Sequence, residues 1–194
     1  MNLFAQIRED FGSVLDRDPA IASKLELFFN YPGLWAIFWH RIAHRLYIRG
    51  FRVFARVIMG ISQIFTNIDL HPAARIGRRV FIDHGIGVVV GETAVIGDDV
   101  TIYQGATLGG VSLAKGKRHP TVENGVVVGS GAKILGNITI GANSKIGANS
   151  VVIKNVPADS TAVGIPARVI KKGPDKSPYS HDKLPNIDTE MFIY

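Results

Sequence analysis

An aliphatic residue returns every sixth position through most of this chain, and that period constrains the fold more than any other feature. It falls on Leu70, Ile76, Ile82, Val90, Ile96, Ile102 and Leu108, and again on Val128, Ile134, Ile140, Ile146 and Val152. A small or β-branched residue stands two places before the beat, as at Ala74, Val80, Ala94, Val100, Ala106, Ala132, Ser144 and Ser150. Glycine often follows it directly, as at Gly77, Gly91, Gly97, Gly109, Gly129, Gly141 and Gly147. An amphipathic helix repeats near 3.6 and a strand at 2, so neither accounts for six. A solenoid does: each hexad makes one short flat strand and one turn, and three hexads close a triangular coil. The aliphatic side chain points into the prism. Stacking the coils buries a core that no single coil could enclose.

Three regions follow. Residues 1–67 read as helical: Asp18-Pro19 is a cap-plus-proline helix start, and a second helix is expected from about Leu34 to Ile48, with Gly50 ending it. A third helix is expected over about Arg52 to Thr66, and Asn30-Tyr31-Pro32-Gly33 reads as a break. Residues 68–170 are the prism, interrupted twice. The interval from Ile82 to Val90 is eight, so two extra residues bulge around His84–Gly87. The interval from Leu108 to Val128 is twenty, read as three hexads plus two, with Ser112 to Glu123 thrown off as a loop. Residues 171–194 are polar and proline-dotted and read as a flexible tail ending in apolar Met191-Phe192-Ile193-Tyr194. The expected fold class is α+β: an N-terminal helical region, then a left-handed parallel β-helix with an extruded loop and a C-terminal tail.

Bulk properties narrow the partners. The net charge of +6 favours an anionic ligand. The basic residues are scattered without a run, so a phosphate-bearing co-substrate fits better than nucleic acid. There is no cysteine, which excludes disulfides and thiolate metal sites. The apolar stretch from Leu25 to Phe65 is broken by His40, Arg41, His44, Arg45, Arg49, Arg52 and Arg56. No run of about 18 uncharged apolar residues remains, so no membrane span is expected. With no secretory signal at the start, the expected location is cytoplasmic.

The chemistry-bearing residues cluster in a few runs. They are Asp69-Leu-His-Pro-Ala-Ala-Arg-Ile-Gly, then Phe81-Ile-Asp83-His84-Gly-Ile-Gly-Val-Val-Val-Gly91-Glu92-Thr93, then Thr107-Leu-Gly109-Gly110 and the loop's Arg118-His119-Pro120. Asp69 and His84 stand fifteen residues apart, a little under one eighteen-residue coil, so adjacent coils bring them to one edge. Together with Asp18-Pro19, these runs closely resemble the serine O-acetyltransferases of cysteine biosynthesis, continuously from about Asp18 to Lys171. The resemblance implies acetyl transfer from acetyl-CoA to the L-serine hydroxyl without a metal. It implies His84 as general base, oriented by Asp69. It further implies Asp18 and Asp83 on the substrate ammonium, Arg118 on its carboxylate and His119 at its hydroxyl. Acetyl-CoA is expected along the seam between two prisms, against Gly110, Ser130, Gly131 and Ala148, with the lysines that meet its phosphates left open.

The resemblance also implies partners. A homotrimer is the expected minimum and a dimer of trimers the alternative, because longer members carry a larger helical region before the position of Asp18. Cysteine is expected as a feedback inhibitor. O-acetylserine sulfhydrylase is a candidate partner through the tail, although this chain ends Ile193-Tyr194 where many members end in isoleucine. His71 beside Pro72 reads as structural, and His40 and His44, one helical turn apart, as packing residues. Glu92 reads equally as a site residue or a turn carboxylate. The rival functions are acetylation of another hydroxyl (a sugar or homoserine), a three-histidine zinc carbonic anhydrase, and a non-catalytic scaffold.

Overall fold

The computed structural model describes residues 3–15, 17 and 26–171. Asp18 and the tail from residue 172 lie outside the described residues. Among the described residues four helices come first: α1 (Leu3–Leu15), α2 (Glu26–Asn30), α3 (Pro32–Ile48) and α4 (Arg52–Thr66). The expected break falls at Tyr31, between α2 and α3, and is shorter than expected: Pro32 and Gly33 already begin α3. Proline sits in the first turn, where its missing N–H costs nothing. Gly33 is pressed onto the solenoid: a Cβ there would stand 2.0 Å from the Ile82 carbonyl oxygen. At the other end Gly50, at φ 94°, donates to Tyr47 O while Phe51 donates to Leu46 O, which closes α3 in a Schellman turn. α3 and α4 then pack as a hairpin, and Asn67, at φ 55°, turns the chain into the first coil.

The fifteen strands are short: β1 (Asp69–Leu70), β2 (Arg75–Ile76), β3 (Phe81–Asp83), β4 (Val89–Val90), β5 (Val95–Ile96), β6 (Thr101–Tyr103), β7 (Thr107–Gly109), β8 (Thr121–Val122), β9 (Val127–Val128), β10 (Lys133–Leu135), β11 (Thr139–Ile140), β12 (Lys145–Ile146), β13 (Val151–Val152), β14 (Ser160–Val163) and β15 (Arg168–Lys171). From β1 to β10 each pairs with the strand three on; beyond that spacing β12 pairs with β14 and β14 with β15, giving three faces: β1-β4-β7-β10-β13, β2-β5-β8-β11 and β3-β6-β9-β12-β14-β15. We call them the first, second and third faces. Every pairing is parallel except that of β14 with β15. This is a left-handed hexapeptide β-helix.

The beat residues form its axis. Leu70, Ile102, Leu108, Ile134, Ile140 and Ile146 are all fully buried, with Ala74, Val100, Ala106 and Ala132 fitted beside them. Ile76 is only half-buried. It lies in the first coil, where Arg41 of α3 reaches its carbonyl.

Ladder offsets locate the two interruptions. Asp69 pairs with Val89, twenty residues on, whereas Val89 pairs with Thr107, eighteen on; the bulge at His84–Gly87 adds two. Thr107 pairs with Lys133, twenty-six on, so the loop adds eight. This corrects the expected loop: Thr121 and Val122 are strand β8, paired with Val95 and Ile96, and the excursion spans 110–120. Val122 is itself a beat residue, fully buried and six before Val128.

Helices and prism are joined by ion pairs. Arg41 and Asp10 are both buried, with Nε–Oδ2 at 3.0 Å. Arg41 also donates to the carbonyls of Ile76 and Gly77, and Asp10 Oδ1 accepts the Arg79 N–H. Glu9 bridges Arg78 and Arg79, and Arg79 continues to Asp99. Those guanidiniums hold the Glu9 carboxyl down to about 2.

Candidate active site

Each coil turns three corners, and the candidate residues occupy two of the three resulting edges. Asp83 ends β3 on the third face and His84 begins the corner leading to β4 on the first face. His84 has φ 54° and Gly85 φ 72°, so two left-handed residues in succession swing the chain outward. The His84 N–H donates to Asp83 Oδ1 at 2.9 Å, and its Nε2 lies 3.9 Å from Asp83 Oδ2. The imidazole is 73% exposed. Asp69 opens β1 at the same edge one coil earlier: its N–H donates to Val88 O, and Gly87 donates to Asn67 O. Asp69 and His84 share this edge without a hydrogen bond between them.

Above His84 the same edge carries a ridge of corner residues. The Gly105 N–H bonds Ile86 O, that of Gly131 bonds Gln104 O, and that of Asn149 bonds Ser130 O. Ser130, Gly131 and Ala148 thus stack in line with His84. Gly131, at φ 68°, admits Asn149: a Cβ would stand 2.1 Å from the Asn149 amide oxygen. Gly110 is not on this ridge.

Gly110, Arg118 and His119 belong to the other edge of the first face, where the extruded loop leaves β7 and returns to β8. His119 is 8% exposed. Its ring fills space left by Gly91, where a Cβ would stand 2.0 Å from Cδ2. His119 Nδ1 accepts the Thr93 N–H at 3.2 Å and lies 2.9 Å from Thr93 Oγ1. Arg118 pairs with Glu92, Nη2–Oε2 2.5 Å, which depresses the Glu92 carboxyl. Lys117 Nζ donates to the carbonyls of Thr93 and Pro120, pinning the loop's return. One chain therefore does not bring His84 and His119 together; the first face separates them.

Asp18 lies outside the described residues. Its neighbour Arg17 donates to Asp99 Oδ1 at 2.9 Å and to Thr101 Oγ1 at 3.4 Å. Thr101 pairs with Phe81, two residues before Asp83, so the Arg17 side chain is tied to the third face. His71 accepts the Ala73 N–H on Nδ1 and packs edge-on against Tyr47. His40 and His44 stack 5.6 Å apart. Among the described residues no group of three or more His, Cys, Asp or Glu is placed to hold a metal.

A family model described as bacterial transferase hexapeptide (six repeats) matches residues 119–154. The serine acetyltransferase of Bacillus pumilus (strain SAFR-032) is 50% identical over 191 residues, covering 97% of this chain and 88% of the relative. That of Bacillus subtilis (strain 168) is 51% identical with the same coverage. The chain belongs to the serine acetyltransferase family. Among solved structures of serine acetyltransferases, one in complex with cysteine matches at TM-score 0.85 and 42% identity, covering 89% of this chain and 67% of that one. A soybean serine acetyltransferase complexed with serine matches at 0.83 and 45% (87% and 69% covered), and one in complex with CoA at 0.80 and 42% (87% and 69%).

Sequence reasoning missed Thr93. It stood in the run Gly91-Glu92-Thr93, but its partners come from a loop twenty-five residues on. Glu92, left open between a site residue and a turn carboxylate, pairs with Arg118 of the loop. In this serine acetyltransferase-family chain the extruded loop is thus built onto the Gly91–Ala94 corner.

Proposed function

We propose that this chain transfers acetyl from acetyl-CoA to the hydroxyl of L-serine, giving O-acetyl-L-serine and CoA, as a step toward cysteine. The observation that carries this reading is an exposed imidazole, His84, at the foot of a ridge of small corner residues. An alcohol attacks a thioester slowly unless a base accepts its proton. His84 takes the proton from the serine Oγ as that oxygen bonds to the thioester carbonyl carbon. The C–S bond then breaks, and the imidazolium returns the proton to the CoA sulfur. The carboxylate of Asp69, at the same edge, orients the ring and offsets its charge. Asp83 and Asp18 receive the substrate ammonium, and Arg118 its carboxylate through paired hydrogen bonds.

Ser130, Gly131 and Ala148 line the path of pantetheine along the His84 edge, and Gly110 approaches it from the other. Because His84 and His119 occupy opposite edges of the first face, a complete site takes one edge from each of two copies. A homotrimer closes this arrangement. The outward face of α4 supports association: Val53, Phe54, Val57, Ile61, Ile64 and Phe65 are all exposed there. Inhibition by cysteine and a cytoplasmic location complete the reading, with a dimer of trimers as the alternative assembly and O-acetylserine sulfhydrylase as a candidate partner for the tail. The solved relatives in complex with serine, cysteine and CoA support its ligands. No described helix is long and apolar enough to cross a membrane.

Following CoA release with serine, homoserine and simple sugars as acceptors tests the assignment. Serine is expected to be the preferred acceptor by at least about tenfold, the value of one hydrogen-bonded group. Preference for a sugar hydroxyl would overturn it.

A further inference from the structure

One hydroxyl organises the whole loop edge of the site. Thr93 Oγ1 accepts the N–H of Arg118 at 3.0 Å and that of His119 at 3.1 Å. A hydroxyl has two acceptor positions and one proton. Both acceptor positions are filled, so its proton is free for His119 Nδ1, 2.9 Å away. The Thr93 backbone N–H points at the same nitrogen from 3.2 Å. Nδ1 thus faces two donors and cannot carry a proton without losing both.

We infer that Thr93 is a positioning residue that fixes His119 as the neutral Nε2–H tautomer, so that this ring donates a hydrogen bond to the substrate and leaves His84 as the sole base. The inference rests on the reading that His119 contacts the substrate.

The surroundings agree. Nε2 faces Gly91 and Gly110, where an added Cβ would stand 2.1 and 3.2 Å from it. It bonds to no described residue, yet it is not among the side-chain atoms sealed from solvent without a partner. Its N–H is therefore available to a ligand. Burial, Arg118 and Lys117 disfavour a charged ring, and Glu92 alone favours one. Glu92 is already bound by Arg118. His71, which also interacts with this ring, is itself lowered from the usual histidine value by burial and Arg56. One imidazole is held as a donor by a threonine, while the other, His84, stands exposed, its Nε2 3.9 Å from Asp83 Oδ2.

Nitrogen-15 NMR of histidine-labelled, full-length protein tests this, with Thr93→Val, Thr93→Ser and His119→Gln beside the wild type. The wild-type His119 ring is expected to carry its proton on Nε2 and to stay neutral across the range where a free histidine titrates. Thr93→Val is expected to mix the tautomers and raise the KM for serine about tenfold, the worth of one hydrogen bond, with a smaller change in kcat. Thr93→Ser restores both. A wild-type proton on Nδ1 overturns the inference without reference to any variant. So does a Thr93→Val spectrum identical to the wild type, because the backbone N–H that valine retains would then hold the ring alone and the hydroxyl would have no positioning role. If the tautomer is as stated but neither Thr93→Val nor His119→Gln moves the serine KM, the failure lies in assigning His119 to the substrate.

Discussion

Replacing His40 by phenylalanine should remove a defined part of this fold's sensitivity to acid. His40 is 1% exposed, stacked on His44, and neither ring nitrogen has a hydrogen-bond partner. The backbone of His71 and Ala74 favours its charged form, but more weakly than burial opposes it. Burial, and then the charges of Arg41 and His44, push its pKa from 6.5 down to about 3. The unfolded chain binds this proton below pH 6.5, and the folded chain does not until about pH 3. The stability contribution is therefore complete above pH 6.5 and is lost as the pH falls toward 3. Each pH unit in that window costs ~1.4 kcal/mol, so by pH 5 the loss is about 2 kcal/mol. Phenylalanine has no proton to bind. Urea unfolding at one protomer concentration, run from pH 8 to pH 5, checks the difference. The gap between His40→Phe and wild type should move in the variant's favour by about 2 kcal/mol over that range. Parallel curves would refute the buried, neutral histidine.

Three further outcomes follow from the same contacts. Arg41→Leu strands the buried Asp10 carboxylate and should cost about 3–5 kcal/mol by chemical denaturation, a loss under 1 kcal/mol counting against the pair. Glu9, held near 2 by hydrogen bonds to Arg78 and Arg79, contributes stability that is present above its ordinary 4.5 and lost as the pH falls through the window toward 2. Glu9→Gln should make unfolding midpoints less steep with pH there, and an unchanged slope would exclude the network. Gly91→Ala places a Cβ 2.0 Å from the His119 ring. It should raise the KM for serine several-fold while the thermal midpoint moves little, and unaltered kinetics would mean that His119 is not held where it stands.

Most of the prism was legible because every beat residue meets the same interior. The loop's far end was not. Thr121, Glu123 and Asn124 are polar because they serve a strand surface and a corner, so the stretch looked extruded. Its one apolar signal was Val122, six before Val128. Pro32-Gly33 read as part of the break at Tyr31, rather than as the start of α3, for a related reason. A proline that begins a helix and a proline that ends one look alike until the neighbour is known, and here that neighbour is the Ile82 carbonyl beneath Gly33. At the site, counting in eighteens puts Asp69 and His84 on one edge, and the structure places them there. It gave no warning that His119 would stand across the face, because the loop hides how many residues belong to the coil. Thr93 was unreadable for the same reason: its hydrogen bonds join a corner to a loop whose return point is set in three dimensions.

The claim on which the account turns is that a working site takes His84 from one copy and Arg118 with His119 from the next. Mixing two inactive proteins, His84→Ala and Arg118→Ala, after unfolding and refolding them together, tests it directly. Acetyl transfer to serine should reappear in about a quarter of the seams, those that pair an intact His84 edge with an intact loop edge. A mixture as inactive as its parents, with mixed oligomers shown to form, would contradict the shared site.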